Sequence, residues 1–371
     1  MTATLRYTFL CALPLIAMIC GAAVPPFSHS LKEHEHLEKA MPLYGAPDTV
    51  SMFIIGDVMM HSRQMDYDWS SFLEDIRGRM QKADVTVANM EFTLAGKPYT
   101  GYPAFSAPDG YEKYVRDCGA DVFLTANNHI LDKGTKGLER TMDIYRRMED
   151  AGEICFTGTS SSPEDEAERY PLMLNVRGIR LAILNFTYGT NIPGGEGWPK
   201  VNRMRKEDIA AALERAKAYK ADFIIAFPHW GNEYELEHSG RQEEMAEWLA
   251  DNGADAIVGA HPHVVQDSTD IHGVPVFYSI GNAVSNMSAP NTQLELAVEL
   301  KFVRDWNGDR SMLKPSVTYL WCSLPGNYTG SYATIAVKDH LGKRSMWINP
   351  YDYDKMTTTY RRVKAATGIE D

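Results

Sequence analysis

One local pattern recurs four times along this chain of 371 residues and restricts its architecture more than any other feature. An amphipathic helical stretch leads into a turn ending in Ala-Asp, then a short apolar run, then a polar cluster. The copies are Lys82-Ala83-Asp84 before residues 85–88, Gly119-Ala120-Asp121 before 122–124, Ala221-Asp222 before 223–227, and Gly253-Ala254-Asp255 before 256–258. Helix followed by strand, repeated, builds an α/β sheet of βα units. Gly119 and Gly253 stand where a helix end needs a left-handed residue. Helical spacing places Ile209, Ala212, Leu213, Ala216 and Tyr219 on one face of a helix over 206–219, and a second helix covers 243–249. The apolar runs do not alternate, which suits strands covered on both faces, and residues 52–55 open the same scheme.

Each predicted strand delivers polar residues at its carboxyl end: Gly56-Asp57, Asn89-Met90-Glu91, Asn127-Asn128-His129, His229-Trp230-Gly231 and His261-Pro262-His263. Loops leaving that edge converge on one cleft, the usual ligand site of open α/β sheets. After Asn291 the pattern changes to strand-like stretches at 294–303, 316–322 and 332–337, joined by Asn307-Gly308-Asp309 and Pro325-Gly326-Asn327 turns, which extend the same domain with antiparallel strands.

The ends of the chain read differently. Residues 1–24 form an apolar export segment, either a signal peptide cut near Ala23 or a retained membrane anchor. Residues 25–48 read as a polar spacer, 49–350 as one α/β domain and 351–371 as a C-terminal tail. Cys118, Cys155 and Cys322 remain after the export segment, too few and too scattered for a disulfide framework. A net charge of -12 excludes general electrostatic wrapping of nucleic acid, leaving the membrane reachable only through the N-terminal segment.

Two histidines at i and i+2 around a proline, His261 and His263, can face one cation, and a hydrolytic metal site completes such a pair with carboxylate and amide oxygens. Asp57, Glu91, Asn128 and His229 supply them. Singly, each is an ordinary cap, turn or core residue; their joint occurrence at successive strand ends is what points to a metal. His61, Asn127, Glu233 and Asn282 are candidates for supporting or substrate-facing groups, and Lys133 and Arg203 for positive charge in the cleft. The glycine-rich loop at 189–199 has the composition of a rim and lacks the Gly-Lys-Ser/Thr ending of a nucleotide P-loop.

At these residues the sequence resembles the CapA family of poly-γ-glutamate capsule synthesis proteins, itself similar to calcineurin-like metallophosphoesterases. The resemblance spans residues 52–286 and rests on Gly56-Asp57-Val58-Met59, Asn89-Met90-Glu91, Ala126-Asn127-Asn128-His129 with Leu131-Asp132, His229-Trp230-Gly231 with Glu233, Gly259-Ala260-His261-Pro262-His263, and Ser279-Ile280-Gly281-Asn282. It implies a four-layer α-β-β-α sandwich. It also implies two divalent metal ions, of manganese, iron or zinc, held by Asp57, Glu91, Asn128, His229, His261 and His263 with Glu91 bridging, and His129 as the catalytic group that protonates the leaving atom. Met59 occupies the position where the phosphoesterase pattern has histidine, and His61 is the candidate replacement. The expected function is extracytoplasmic hydrolysis, by metal-activated water, of a phosphoester or of an anionic cell-envelope polymer; the alternative is a non-catalytic capsule component that holds the polymer.

Overall fold

The computed structural model describes residues 33–34 and 48–371. The export segment at 1–24 and nearly all of the spacer at 25–48 lie outside the described residues. In chain order the elements begin with β1 (Glu33–His34), β2 (Asp48–Val58), α1 (Glu74–Lys82), β3 (Val85–Met90), α2 (Tyr111–Asp117), β4 (Val122–Leu124), α3 (Gly134–Asp150), β5 (Cys155–Thr157) and β6 (Thr159–Ser160). They continue with α4 (Pro163–Arg169), β7 (Leu172–Val176), β8 (Ile179–Thr187), β9 (Lys200–Val201), α5 (Lys206–Ala218), β10 (Phe223–His229), α6 (Gly240–Asp251) and β11 (Ala256–Val258). The last stretch holds β12 (Ser268–Ile271), β13 (Val274–Phe277), β14 (Leu294–Arg304), β15 (Arg310–Met312), β16 (Ser316–Ser323), β17 (Ala333–Ala336), α7 (Val337–His340) and α8 (Pro350–Thr367).

Two mixed sheets form. One has the order β1-β7-β8-β10-β11-β13-β12 and the other β17-β16-β14-β2-β3-β4-β5, with β15 beside β14. The βα units supply the parallel pairs β2/β3/β4/β5 and β8/β10/β11/β13, while the late hairpins add β14, β16 and β17 antiparallel to the edge at β2. Alternation along β2 sorts the layers. Val50, Met52 and Ile54 point into the core shared with Ile183, Ile225 and Leu296 of both sheets. Phe53 and Ile55 point the other way, onto Ile76, Tyr111, Val115, Tyr145 and Met148 of α1, α2 and α3. On the far side Leu184 and Ile224 meet Ile209 and Leu213 of α5 and Met245 and Leu249 of α6. Helices, sheet, sheet, helices: the four layers expected.

The Ala-Asp repeats have a common structural cause. Asp84, Asp121, Asp222 and Asp255 each place a carboxylate oxygen on the backbone N–H of the neighbouring strand, at Ser51 (2.8 Å), Thr86 (2.8 Å), Arg180 (2.7 Å) and Ile224 (2.7 Å). The aspartate thereby satisfies a donor at the start of a parallel pair, where the ladder has not yet begun.

Two expected boundaries are corrected. Residues 351–371 are not a tail: Asn349 caps α8, Pro350 opens it and Gly368 ends it at φ +69°. Met356, Tyr360 and Val363, spaced i, i+4, i+7, bury against the inter-sheet core together with Ile369. Within the expected spacer, Glu33–His34 pair parallel to β7 at Met173 and Leu174. Cys118, Cys155 and Cys322 are free thiols, buried and unbridged.

Candidate metal centre

The segment after β13 joins the carboxyl ends of the two sheets. It leaves the β13 side through Tyr278, then pairs with the end of β2 by Asp57 N–H to Gly281 O (3.0 Å), Val284 N–H to Asp57 O (3.1 Å) and Met59 N–H to Val284 O (2.8 Å). A Cβ on Gly56 would lie 2.0 Å from Gly281 O, and one on Gly259 2.2 Å from Tyr278 O, so both sites admit only glycine. Asn185 of β8 ties the sheets again: its Oδ1 accepts from Thr125 and Ala126 N–H, and its Nδ2 donates to Phe227 O.

Into this junction β2 brings Asp57, β3 brings Asn89 and the following Glu91, the β4 exit brings Asn127, Asn128 and His129, β10 ends on His229, and the β11 exit brings His261 and His263. All are buried. Asp57 Oδ1 accepts from Asn89 Nδ2 at 2.7 Å and its Oδ2 lies 3.2 Å from His263 Nδ1. His263 Nδ1 also lies 2.9 Å from Asn282 Oδ1, so both partners hold the same ring nitrogen and turn Nε2 toward Glu91, 4.0 Å away. His229 Nε2 stands 2.8 Å from Asn128 Oδ1 and 3.7 Å from Glu91 Oε1.

Glu91 is the anomaly. Both of its carboxylate oxygens are sealed from solvent without a hydrogen bond, and His261 Nδ1 is likewise buried without a partner. An isolated buried carboxylate costs several kcal/mol unless a charge compensates it. Burial, reinforced by the charge of Asp57 and by a carboxyl–carboxyl contact with it, drives the Glu91 carboxyl well above its ordinary range. Burial pulls His229 well down, and it pulls His261 to about 3, each helped by a neighbouring imidazole. Burial opposes ionisation at Asp57 too, yet the hydrogen bond and charge of His263 outweigh it and hold Asp57 below the usual carboxylate range, with His263 correspondingly raised. Imidazoles facing a buried carboxylate that no N–H answers are the donor set of a divalent cation: ligating atoms of Glu91, His261 and His263 all lie within 4.8 Å of one another. The residues fit the metal that the resemblance implies.

The remaining expected residues divide. His129 sits beside the cluster with Nδ1 2.7 Å from Asp132 Oδ2, its ring edge-on to Phe105 at 4.7 Å. Asn127 supports it, accepting from His129 N–H through Oδ1 and donating through Nδ2 to Met90 O. Asn282 orients His263. Glu233 is exposed on the rim, acting on His263 through charge. His61 does not join the ligating group found among the described residues; its Nδ1 faces Gln64 Oε1 and accepts from Asn286 N–H, and burial lowers it to about 4. The structure adds residues that sequence reasoning passed over: Asn89, which bridges Asp57 and His229 Nδ1 (3.3 Å), Asp132, and Asn191, whose N–H donates to Asn128 O. Asn89 and Asp132 stood inside the quoted motifs; Asn191 carried no signal beyond its glycine-rich loop.

Three exposed tyrosines crown the site, Tyr102 (69% exposed) 6.4 Å from the His129 ring, Tyr188 (47%) 4.7 Å from His261 and Tyr234 (48%) 6.2 Å from His263. His261, His263 and Tyr234 all hold positive φ, at +101°, +58° and +68°. Such backbone costs on the order of 1–3 kcal/mol per residue and concentrates at functional sites.

Fold and site together define the class: a four-layer α/β protein with a buried Glu/His/His cluster of metal-ligating chemistry at the carboxyl ends of its strands. The family model described as "Bacterial capsule synthesis protein PGA_cap" matches residues 51–287, well over half of the chain, and the chain belongs to that family. It is 29% identical over 306 residues to the Bacillus anthracis capsule biosynthesis protein CapA, covering 76% of this chain and 69% of that one. It is also 29% identical to the Bacillus subtilis PGA biosynthesis protein CapA over 198 residues, 53% of this chain and half of that relative's length. Among solved structures, the Haemophilus influenzae NAD nucleotidase NadN aligns at TM-score 0.47 and 12% identity, covering 86% of this chain and 68% of that one.

Proposed function

We propose that this protein is an extracytoplasmic metal-dependent hydrolase acting on a capsule or cell-envelope polymer. The observation that carries the reading is Glu91, a carboxylate buried without a donor and faced by imidazoles. Asp57, Glu91, Asn128, His229, His261 and His263 are the residues that would hold two divalent cations. When bound, the cations would acidify a water and polarise the bond under attack.

The chain's own groups do the rest. Asn282 fixes the His263 ring through Nδ1, and Asn89 holds His229 through Nδ1, the outer support that a metal ligand needs. Asp132, 2.7 Å from His129 Nδ1, fixes the ring and leaves Nε2 to pass a proton to the leaving atom. Phe105 and Tyr102 wall that ring, and Tyr188 and Tyr234 line the mouth through which a polymer reaches it.

Turnover of a chromogenic phosphodiester and of a γ-linked glutamate polymer, by metal-loaded parent, His263→Ala and His129→Ala proteins, tests the reading. Hydrolysis of either substrate by the parent, lost in both variants, is the expected result. A metal-loaded parent that retains polymer yet cleaves neither substrate would sink it in favour of a non-catalytic, polymer-holding role.

A further inference from the structure

Beside the metal centre, on the same sheet edge, lies a cavity of about 310 Å³ lined by Tyr188, Thr190, Glu196, Arg203, Met204 and Arg205. Its place in the register is fixed. His229 at the end of β10 pairs with Thr187 of β8, and Thr187 is bridged on its other side by Arg203. Arg203 thus stands two strand spacings from His229, about 10 Å. Tyr188, the residue after Thr187, forms the shared wall: one side faces the cavity and its ring packs against His261. Asn191, three residues on, bonds to Asn128.

The two arginines are incompletely answered. Arg203 Nη2 donates to Thr190 Oγ1 (2.8 Å) and Gly194 O (2.5 Å), which orient the guanidinium without neutralising it. Its Nε is buried without a partner. Glu196 lies at the outer limit of an ion pair, 3.9 Å, and is 58% exposed, so it screens little. Arg205 is exposed and has no carboxylate partner among the described residues. Burial lowers the Arg203 pKa, the charge of Glu196 opposes that shift, and Arg205 adds a little to it. In a chain of net charge -12, two arginines concentrated in one cavity next to the cleft are not a diffuse surface effect.

Resting on the hydrolase reading above, we infer that this cavity is a carboxylate subsite: Arg203 and Arg205 grip a side-group carboxylate of an extended anionic polymer and so place the neighbouring linkage over the metal centre. A planar guanidinium can meet a carboxylate in two-point geometry, which an ammonium cannot copy. Tyr188 then packs on the backbone between the two points. No bond changes at this subsite; it selects and positions.

Calorimetric titration of the metal-loaded protein with a short γ-linked glutamate oligomer, and with the same oligomer amidated on its carboxylates, tests the inference. Arg205→Gln and Arg203→Lys should each weaken the charged oligomer roughly tenfold, the size of a lost charge-assisted hydrogen bond, and leave metal content unchanged. The amidated oligomer should bind the parent no better than the charged one binds the double variant. Arg205 is exposed, so its variant reads binding rather than folding. Binding unchanged in both variants, or no binding of the charged oligomer by the parent, would overturn the subsite. Arginine-dependent binding in a parent that hydrolyses nothing would uphold it and count against the hydrolase reading instead, so the two failures are distinguishable.

Discussion

At the amino ends of four strands, Asp84, Asp121, Asp222 and Asp255 each hold a backbone N–H within 2.8 Å. At the carboxyl end of β3, Glu91 accepts from no N–H, although it is buried more deeply than any of them. The two ends of one sheet system therefore use the same functional group oppositely. A saturated carboxylate contributes its hydrogen bonds to folding; an unsaturated one leaves its lone pairs open, as a cation ligand must. Asp132 stands between, with Oδ2 serving His129 and Phe105 N–H while Oδ1 is buried without a partner.

Substitution should separate the two ends cleanly. Glu91→Gln removes a ligand and an uncompensated charge at once, so metal affinity and turnover should fall roughly a hundredfold or more while the metal-free protein gains about 1–3 kcal/mol in denaturant unfolding. Loss of stability instead would break the comparison. His129→Ala should lower kcat by roughly a hundredfold with metal content intact, since its partner is Asp132 rather than the ligating cluster. At the other end, Asp121→Ala leaves the Thr86 N–H unanswered; unfolding should become easier by about 1–3 kcal/mol with turnover per folded molecule unchanged.

A smaller effect sharpens the sign. Because Glu91 is raised in the folded protein, its share of stability is present below the ordinary carboxylate range and is lost as pH rises. His229 and His261 are lowered, so theirs grows as pH climbs through the ordinary imidazole range. The advantage of Glu91→Gln over the parent, both metal-free, should therefore widen from acidic to neutral pH and close when metal is added. Melting curves across that range read it directly.

Most of this was legible in order along the chain, and the reasons are local. The Ala-Asp turns announced the parallel strands because the aspartate has a structural task there, and every expected ligand lies in the cluster or against it because loops at one sheet edge can only converge. What escaped was long-range or unusually signalled. The β7–β8 hairpin turns on Arg177-Gly178, both at positive φ, rather than on a familiar Asn-Gly pair. Helix α8 carried its signals, Asn349-Pro350 before and Gly368 after, but its apolar face is thin and reads as a tail until the core it covers is known. Asn185 looks like any strand residue, since its tie between sheets spans 60 positions to Thr125. His61, near Asp57 in sequence, has its Nδ1 taken by Gln64 and Asn286.

The most direct test of the account is metal content by mass spectrometry of protein purified without a histidine tag, beside Glu91→Gln and a His261→Ala, His263→Ala double variant. About two equivalents of manganese, iron or zinc in the parent, lost in the double variant and reduced in Glu91→Gln, is the result the account predicts. A folded parent that carries no metal and takes up none when manganese, iron or zinc is supplied would contradict it, leaving Glu91 as a buried carboxylate without a purpose the structure explains.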